Sequence, residues 1–129
     1  MTPARSDEEL AALARAVQKL SYSPYSGFKV GAALEGENEV YSATNVENRS
    51  YGLTICAERA AVFSAVSHGE NKFSRLALAS PTEEFLVPCG ACLQVLAEFC
   101  EDLQIILSNS KGALKLTSLD ILFPHPFEM

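Results

Sequence analysis

The run LALA at residues 76–79 constrains the fold more than any other stretch of this chain. In a strand, successive side chains point to opposite faces, so four apolar residues in a row leave no face for water, and a strand here has to be covered on both sides. Helical patterns flank it. Between Cys56 and Val66 the residues Ala57, Ala60, Ala61, Phe63, Ala65 and Val66 cover much of a helix surface, which predicts a helix buried on more than one side and stopped by Gly69. Residues 90–100 repeat the pattern through Ala91, Val95, Leu96 and Phe99; LQIILS and ALKLT then read as two further strands, followed by a short helical turn and the tail LFPHPF. Strands interleaved with helices in this way give an α/β chain whose sheet is sandwiched by helices.

The first half supplies the remaining elements. Ser6 followed by Glu9 forms a capping box, and Leu10, Leu13, Ala14, Val17 and Leu20 recur at helical spacing, predicting an amphipathic helix over residues 7–20. SYSPYSG at residues 21–27 is turn chemistry, FKVGAAL reads as a strand, EGENE at residues 35–39 as a hairpin turn, and VYSATNV as the returning strand. With 129 residues, nearly half of them apolar, and no repeat or linker, residues 1–129 read as one domain. The net charge of −6 argues against a nucleic acid polymer as partner, because that binding depends on Lys and Arg neutralising phosphates; a small-molecule ligand is expected instead. No apolar run reaches the roughly 18 residues that span a bilayer, and MTPARSDEEL lacks the basic start and apolar core of a signal peptide, so a cytoplasmic protein with no membrane partner is expected.

In a reducing compartment the four cysteines read as free thiols, metal ligands or catalytic groups. Cys89 and Cys92, in PCGAC, lie one helical turn apart at a helix start, and Cys56, in TICAERAA, has the same setting on the other helix. Helix N-termini stabilise thiolates through free amide donors and the macrodipole. Taken alone, C-x-x-C fits a metal site or a redox pair; with Cys56 added, three thiolates can hold zinc and leave the open fourth position of a catalytic site. Cys100 lies eight residues beyond Cys92, about 12 Å along a helix at roughly 1.5 Å per residue, and reads as a small apolar residue. Neither His68, at the far end of its helix, nor His125, in the tail, reads as a ligand. Arg59, one turn after Cys56, can donate hydrogen bonds to sulfur and draw off negative charge, although an isolated Arg at a helix surface is ordinarily a solvated cation. Glu58 is two positions from Cys56, a spacing that does not share a helix face, so only an irregular first turn brings its carboxylate to the thiols.

CAE followed by PCGAC resembles the two halves of the zinc-dependent nucleoside deaminase signature. SPYSGFKVGAAL, the NVEN of residues 45–48, YGLTICAERAA, Gln94 after PCGAC and the terminal LFPHPF make the chain, from about Tyr22 to Phe127, similar to the small homotetrameric cytidine deaminases of pyrimidine salvage. The resemblance implies a three-layer α/β/α sandwich around a mixed, about five-stranded sheet. It implies one Zn2+ per chain on Cys56, Cys89 and Cys92, with Glu58 as the general acid and base for hydrolytic deamination of cytidine and 2′-deoxycytidine. It also implies that Asn45 and Glu47 bind the ribose, that Phe28 packs on the substrate, that the Ala57 N–H meets the pyrimidine O2, and that Phe127 reaches a neighbouring subunit's site. Read without it, Phe28 and Phe127 are core or tail aromatics and Asn45 a turn residue.

Two positions depart from the family pattern. Leu93 stands where an arginine commonly follows the last cysteine, and Arg49 follows NVEN at a position that is often small, which bears on sugar or phosphate preference. Rival readings are a deaminase of a blasticidin-type or modified cytosine nucleoside, a zinc-stapled binding domain without catalysis, and an editor of single-stranded nucleic acid. The second needs a fourth protein ligand, and the third a basic groove with stacking aromatics.

Overall fold

The computed structural model describes residues 5–129; the first four residues of the MTPARSDEEL stretch lie outside it. The capping box forms as the sequence predicts: the Ser6 hydroxyl accepts from the Glu9 N–H at 3.1 Å and the Glu9 carboxylate from the Ser6 N–H at 3.2 Å, opening helix α1 (Asp7–Gln18). The helix stops two residues before Leu20, whose side chain is exposed, so the predicted 7–20 span overran by one apolar residue in the following turn. Next come β1 (Gly31–Gly36), β2 (Val40–Thr44), a short 3₁₀ turn (Tyr51–Leu53), α2 (Ala57–Ser67), β3 (Phe73–Ala79), α3 (Gly90–Phe99), β4 (Gln104–Ser108), β5 (Leu114–Ser118) and α4 (Leu119–Leu122). The five strands form one mixed sheet in the order β2-β1-β3-β4-β5, with β3 and β4 parallel and the other neighbours antiparallel.

LALA is the central strand's buried end, and its alternation sorts side chains by size. Ala77 and Ala79 face α1, together with Ala33 and Ile106, while Leu76 and Leu78 join Leu34, Ile105 and Leu107 in the larger core under α2 and α3. Small residues on the α1 face let that helix lie close to the sheet. Gly31 is the tightest point of the approach: a Cβ there would sit 2.0 Å from the Ala14 carbonyl oxygen. Relieving backbone strand entropy with alanine is worth about 0.5–1 kcal/mol, whereas forcing a methyl into a packed layer costs about 1–3 kcal/mol. Gly31→Ala is therefore expected to lower the urea midpoint without changing the slope, and an unchanged midpoint would show that α1 shifts freely.

Arginines fasten α1 at both ends. Arg75 on β3 pairs with Asp7 at 3.0 Å and Glu35 at 2.6 Å, and Arg15 donates to the Ser80 carbonyl at 2.8 Å and to the Ser108 and Asn109 carbonyls, closing the ends of β3 and β4. Two further expectations need correction. The strand predicted from FKVGAAL begins only at Gly31, because the Asn45 side chain takes up the backbone of Phe28 and Val30 in place of a neighbouring strand. Helix α2, expected to be buried on more than one side, is buried along one: Ala57, Glu58, Ala61, Val62 and Ala65 face the core, while Phe63 and Val66 are exposed.

Candidate active site

Both inner helices start on a cysteine. Cys56 (φ −76°, ψ 154°) and Cys89 (φ −70°, ψ 166°) have extended backbones and occupy the N-cap positions of α2 and α3, which for Cys56 is just outside the helix in which the sequence pattern places it. Neither thiol caps its own helix, so both sulfurs are free to meet. An N-cap side chain and the one three residues on approach each other, as in a capping box. That geometry brings Cys92 to Cys89 and Arg59 to Cys56.

The sulfurs of Cys89 and Cys92 are 3.5 Å apart and those of Cys56 and Cys89 3.8 Å, and all three lie within 4.8 Å of one another. Thiolates at 2.3 Å from a tetrahedral zinc stand about 3.8 Å from each other, so this triangle fits the ion with little adjustment. The donor set also fits by charge. The hydrogen bond with Cys92, assisted by Arg59 and Cys89, lowers the Cys56 thiol to about 5, while that same hydrogen bond and burial push the Cys92 thiol far up. A divalent cation is what stabilises all three as thiolates. Among the described residues, these three cysteines form the group of side chains close enough together to hold a metal ion, which leaves a fourth coordination position open. Cys100 is the C-cap of α3, at the opposite end of that helix, half-buried, its thiol pushed up to about 11 by burial.

Arg59 donates from Nη2 to the Cys56 sulfur at 3.4 Å, and its Nε is buried without a protein partner. Hydrogen bonding to the sulfurs raises its pKa. Glu58 is 4% exposed, with its carboxyl in hydrogen-bonding reach of Cys92, and burial raises it to about 7. The rule against i and i+2 sharing a face fails here because Cys56 is not helical; the extended cap turns its side chain to the Glu58 side. Ala57, the first helical residue, is fully buried, and its N–H is one of those a helix start leaves without an intrahelical acceptor.

Backbone bridges from Val46 to Tyr22 and to Ile55 lay the NVEN segment against the residue that precedes Cys56. Asn45 accepts from the Val30 N–H at 2.9 Å and the Ser21 hydroxyl at 2.5 Å, and donates to the Phe28 carbonyl at 2.7 Å. Glu47 accepts from the N–H groups of Tyr25 at 3.0 Å and Ser26 at 3.1 Å and from the Ser26 hydroxyl, which together hold its carboxyl below the usual range. An amide and a carboxylate have more capacity than this. One N–H of Asn45 and one lone pair of Glu47 remain for an outside partner.

Phe28 is half-buried on the larger core, whereas Phe127 is 75% exposed. The backbone of Phe127 is tied to Gln94 on α3. Leu93 is packed in the core and Arg49 is exposed. Sequence reasoning missed the work of Ser21 and Ser26 as anchors for Asn45 and Glu47, and of Gln94, whose side chain pairs with both backbone groups of Phe127.

The sequence pattern of the cytidine and deoxycytidylate deaminase zinc-binding region matches residues 4–107, a span that includes Cys56, Glu58, Cys89 and Cys92. The cytidine deaminase of Sporosarcina psychrophila is 44% identical over 122 residues, covering 93% of this chain and 90% of that protein. The 1.6 Å crystal structure of cytidine deaminase from Burkholderia pseudomallei superposes with a TM-score of 0.91 at 41% identity, covering 95% of this chain and 100% of that one. More distantly, blasticidin-S deaminase of Bacillus cereus is 31% identical over 104 residues, 74% of each chain. With a family match over residues 4–107, relatives at 44% and 41% identity across most of the chain and a shared fold, and with three thiols placed to hold a metal ion, the chain belongs to the zinc-dependent cytidine and deoxycytidylate deaminase family.

Proposed function

We propose that the protein hydrolyses cytidine and 2′-deoxycytidine to uridine and 2′-deoxyuridine plus ammonia, as a cytoplasmic enzyme of pyrimidine salvage. The observation that carries this reading is the convergence of three thiols with one buried carboxyl at the starts of two helices. Cys56, Cys89 and Cys92 would hold one zinc, which when bound would supply Lewis acidity and bring the pKa of a water from about 16 toward 7.

Glu58 would take a proton from the attacking water and deliver it to N3 of the cytosine ring, while the hydroxide so formed adds at C4; Glu58 would then take the proton of the new C4 hydroxyl and give it to the amine, so that the C4–N bond breaks as the C4 carbonyl forms and ammonia leaves. Burial, which holds Glu58 near neutrality, matches a group that has to accept and give a proton in one cycle. The Ala57 N–H fixes the pyrimidine O2, and the free capacity of Asn45 and Glu47 takes ribose hydroxyls. Phe28 packs on the substrate. Arg59 withdraws charge from the thiolates and so preserves the acidity of the metal.

The active form is proposed to be a homotetramer in which Phe127 completes a neighbouring subunit's site. Exposure of Phe127, Leu53, Tyr51 and Phe63 supports this, because it leaves large apolar side chains that a second chain would cover.

The test is loss of cytidine absorbance with purified protein, with zinc quantified on the same sample. Turnover with about one zinc per chain is expected, as the three-ligand site requires. Zinc without turnover of cytidine would discard the substrate and turn attention to blasticidin-type nucleosides, the substrate class named for the Bacillus cereus relative.

A further inference from the structure

The geometry points to Gln94 as the positioning residue that sets Phe127 for its role at the base, an inference that rests on the proposed role of Phe127. The tail is not loosely attached. Gln94 on α3 donates from Nε2 to the Phe127 carbonyl at 3.2 Å and accepts at Oε1 from the Phe127 N–H at 3.0 Å. One side-chain amide thus satisfies both backbone groups of one residue, as a neighbouring strand would, which fixes both position and orientation of the peptide. The ring beyond this clamp is 75% exposed. A large apolar side chain held out to solvent by a two-point backbone tether is presented, not buried.

Helix geometry decides which site it is presented to. Gln94 follows Cys92 by two residues, about 200° around the helix at 3.6 residues per turn, so it points away from the face on which Cys92 meets the other thiols. The clamp therefore holds Phe127 on the side of α3 remote from its own chain's metal site. Because α3 also carries Cys92 and starts at Cys89, the tail is tied to a helix that builds the thiol site before any partner or substrate arrives. Preorganisation of this kind removes an ordering cost that would otherwise be met on binding.

The test compares Gln94→Ala, Phe127→Ala and the double variant, with cytidine as substrate. Phe127→Ala is expected to raise KM about tenfold, within the range of a base–aromatic stack. Gln94→Ala should raise KM by most of that factor with kcat within about twofold, unchanged zinc and unchanged thermal midpoint. The double variant should be no worse than Phe127→Ala alone, since both changes remove the same interaction. Gln94→Glu, which keeps the acceptor but loses the donor and sets a carboxylate against the Phe127 carbonyl, should raise KM as well; it serves as the second variant if the alanine disturbs the helix. Wild-type KM in both Gln94 variants with a raised KM in Phe127→Ala would overturn the clamp and leave the role of Phe127 standing. Additive effects in the double variant would equally overturn it, because Gln94 would then act by another route. An unchanged KM in Phe127→Ala would overturn the reading of Phe127 and the clamp with it.

Discussion

Glu58→Ala is expected to turn over cytidine about 10⁴-fold more slowly than the parent protein, at the upper end of what positioned acid–base groups contribute, and to keep its zinc and its fold. The size follows from the repeated use of one carboxyl. In the proposed mechanism it serves proton removal from water, proton delivery to the ring and protonation of the amine. The fold survives because a carboxyl that is 4% exposed gains little from its surroundings: burial is the leading cause of its shift, and it opposes the charged form. Alanine is well suited to the second position of a helix and leaves the neighbouring Ala57 and Ala61 packing as before. The isosteric Glu58→Gln, which keeps the volume but cannot move a proton, should match it within about tenfold. Near-parental turnover by either variant would remove Glu58 from the chemistry.

The layer order was legible because the central strand is apolar on both faces, and the register of Leu against Ala then sorted the two helix layers. What the sequence pattern could not show is where side chains replace backbone. FKVGAAL has the composition of a strand throughout, yet Phe28 and Val30 bond to the amide of Asn45, a substitution no propensity scale records. The exposed side of α2 was hidden for a different reason. Apolar residues all round a helix predict burial but do not say whether the cover comes from the same chain, and Phe63 and Val66 lack it here.

The metal site was legible in its ligands and misread in its local geometry. Periodicity treats Cys56 as the first residue of a helix, which puts Glu58 on the wrong face. As an N-cap with extended backbone, Cys56 turns its sulfur toward Cys89, and the conflict disappears. Cap geometry depends on one ψ angle, and nothing in an apolar repeat reports it. Asn45 and Glu47 came only through resemblance, since their structural duty toward the 21–28 segment and their proposed duty toward ribose draw on the same few hydrogen-bonding positions.

The second large effect is expected at Cys92. Cys92→Ala should bind less than about a tenth of a zinc per chain and show no measurable turnover, because two thiols alone lack the three protein ligands of a catalytic zinc site. Stability falls as well, and two causes have to be separated. Cys92 is fully buried, so trimming its sulfur costs about 1 kcal/mol in lost packing. Losing the ion costs more, because a metal that binds only the folded chain stabilises it by about 4 kcal/mol when present at a thousand times its dissociation constant. A chelator distinguishes them. It should lower the thermal midpoint of the parent protein to within a few degrees of Cys92→Ala and leave the variant itself unmoved. Cys100→Ala, ten residues' worth of helix away from the N-cap thiol, should keep zinc and turnover, since its thiol is half-buried at the opposite end of α3. Full zinc occupancy in Cys92→Ala would mean that the ion is held elsewhere. Together the variants split the site by function: Glu58→Ala loses proton transfer and keeps the metal, and Cys92→Ala loses both, an order that holds only if the carboxyl acts at a site the thiols build.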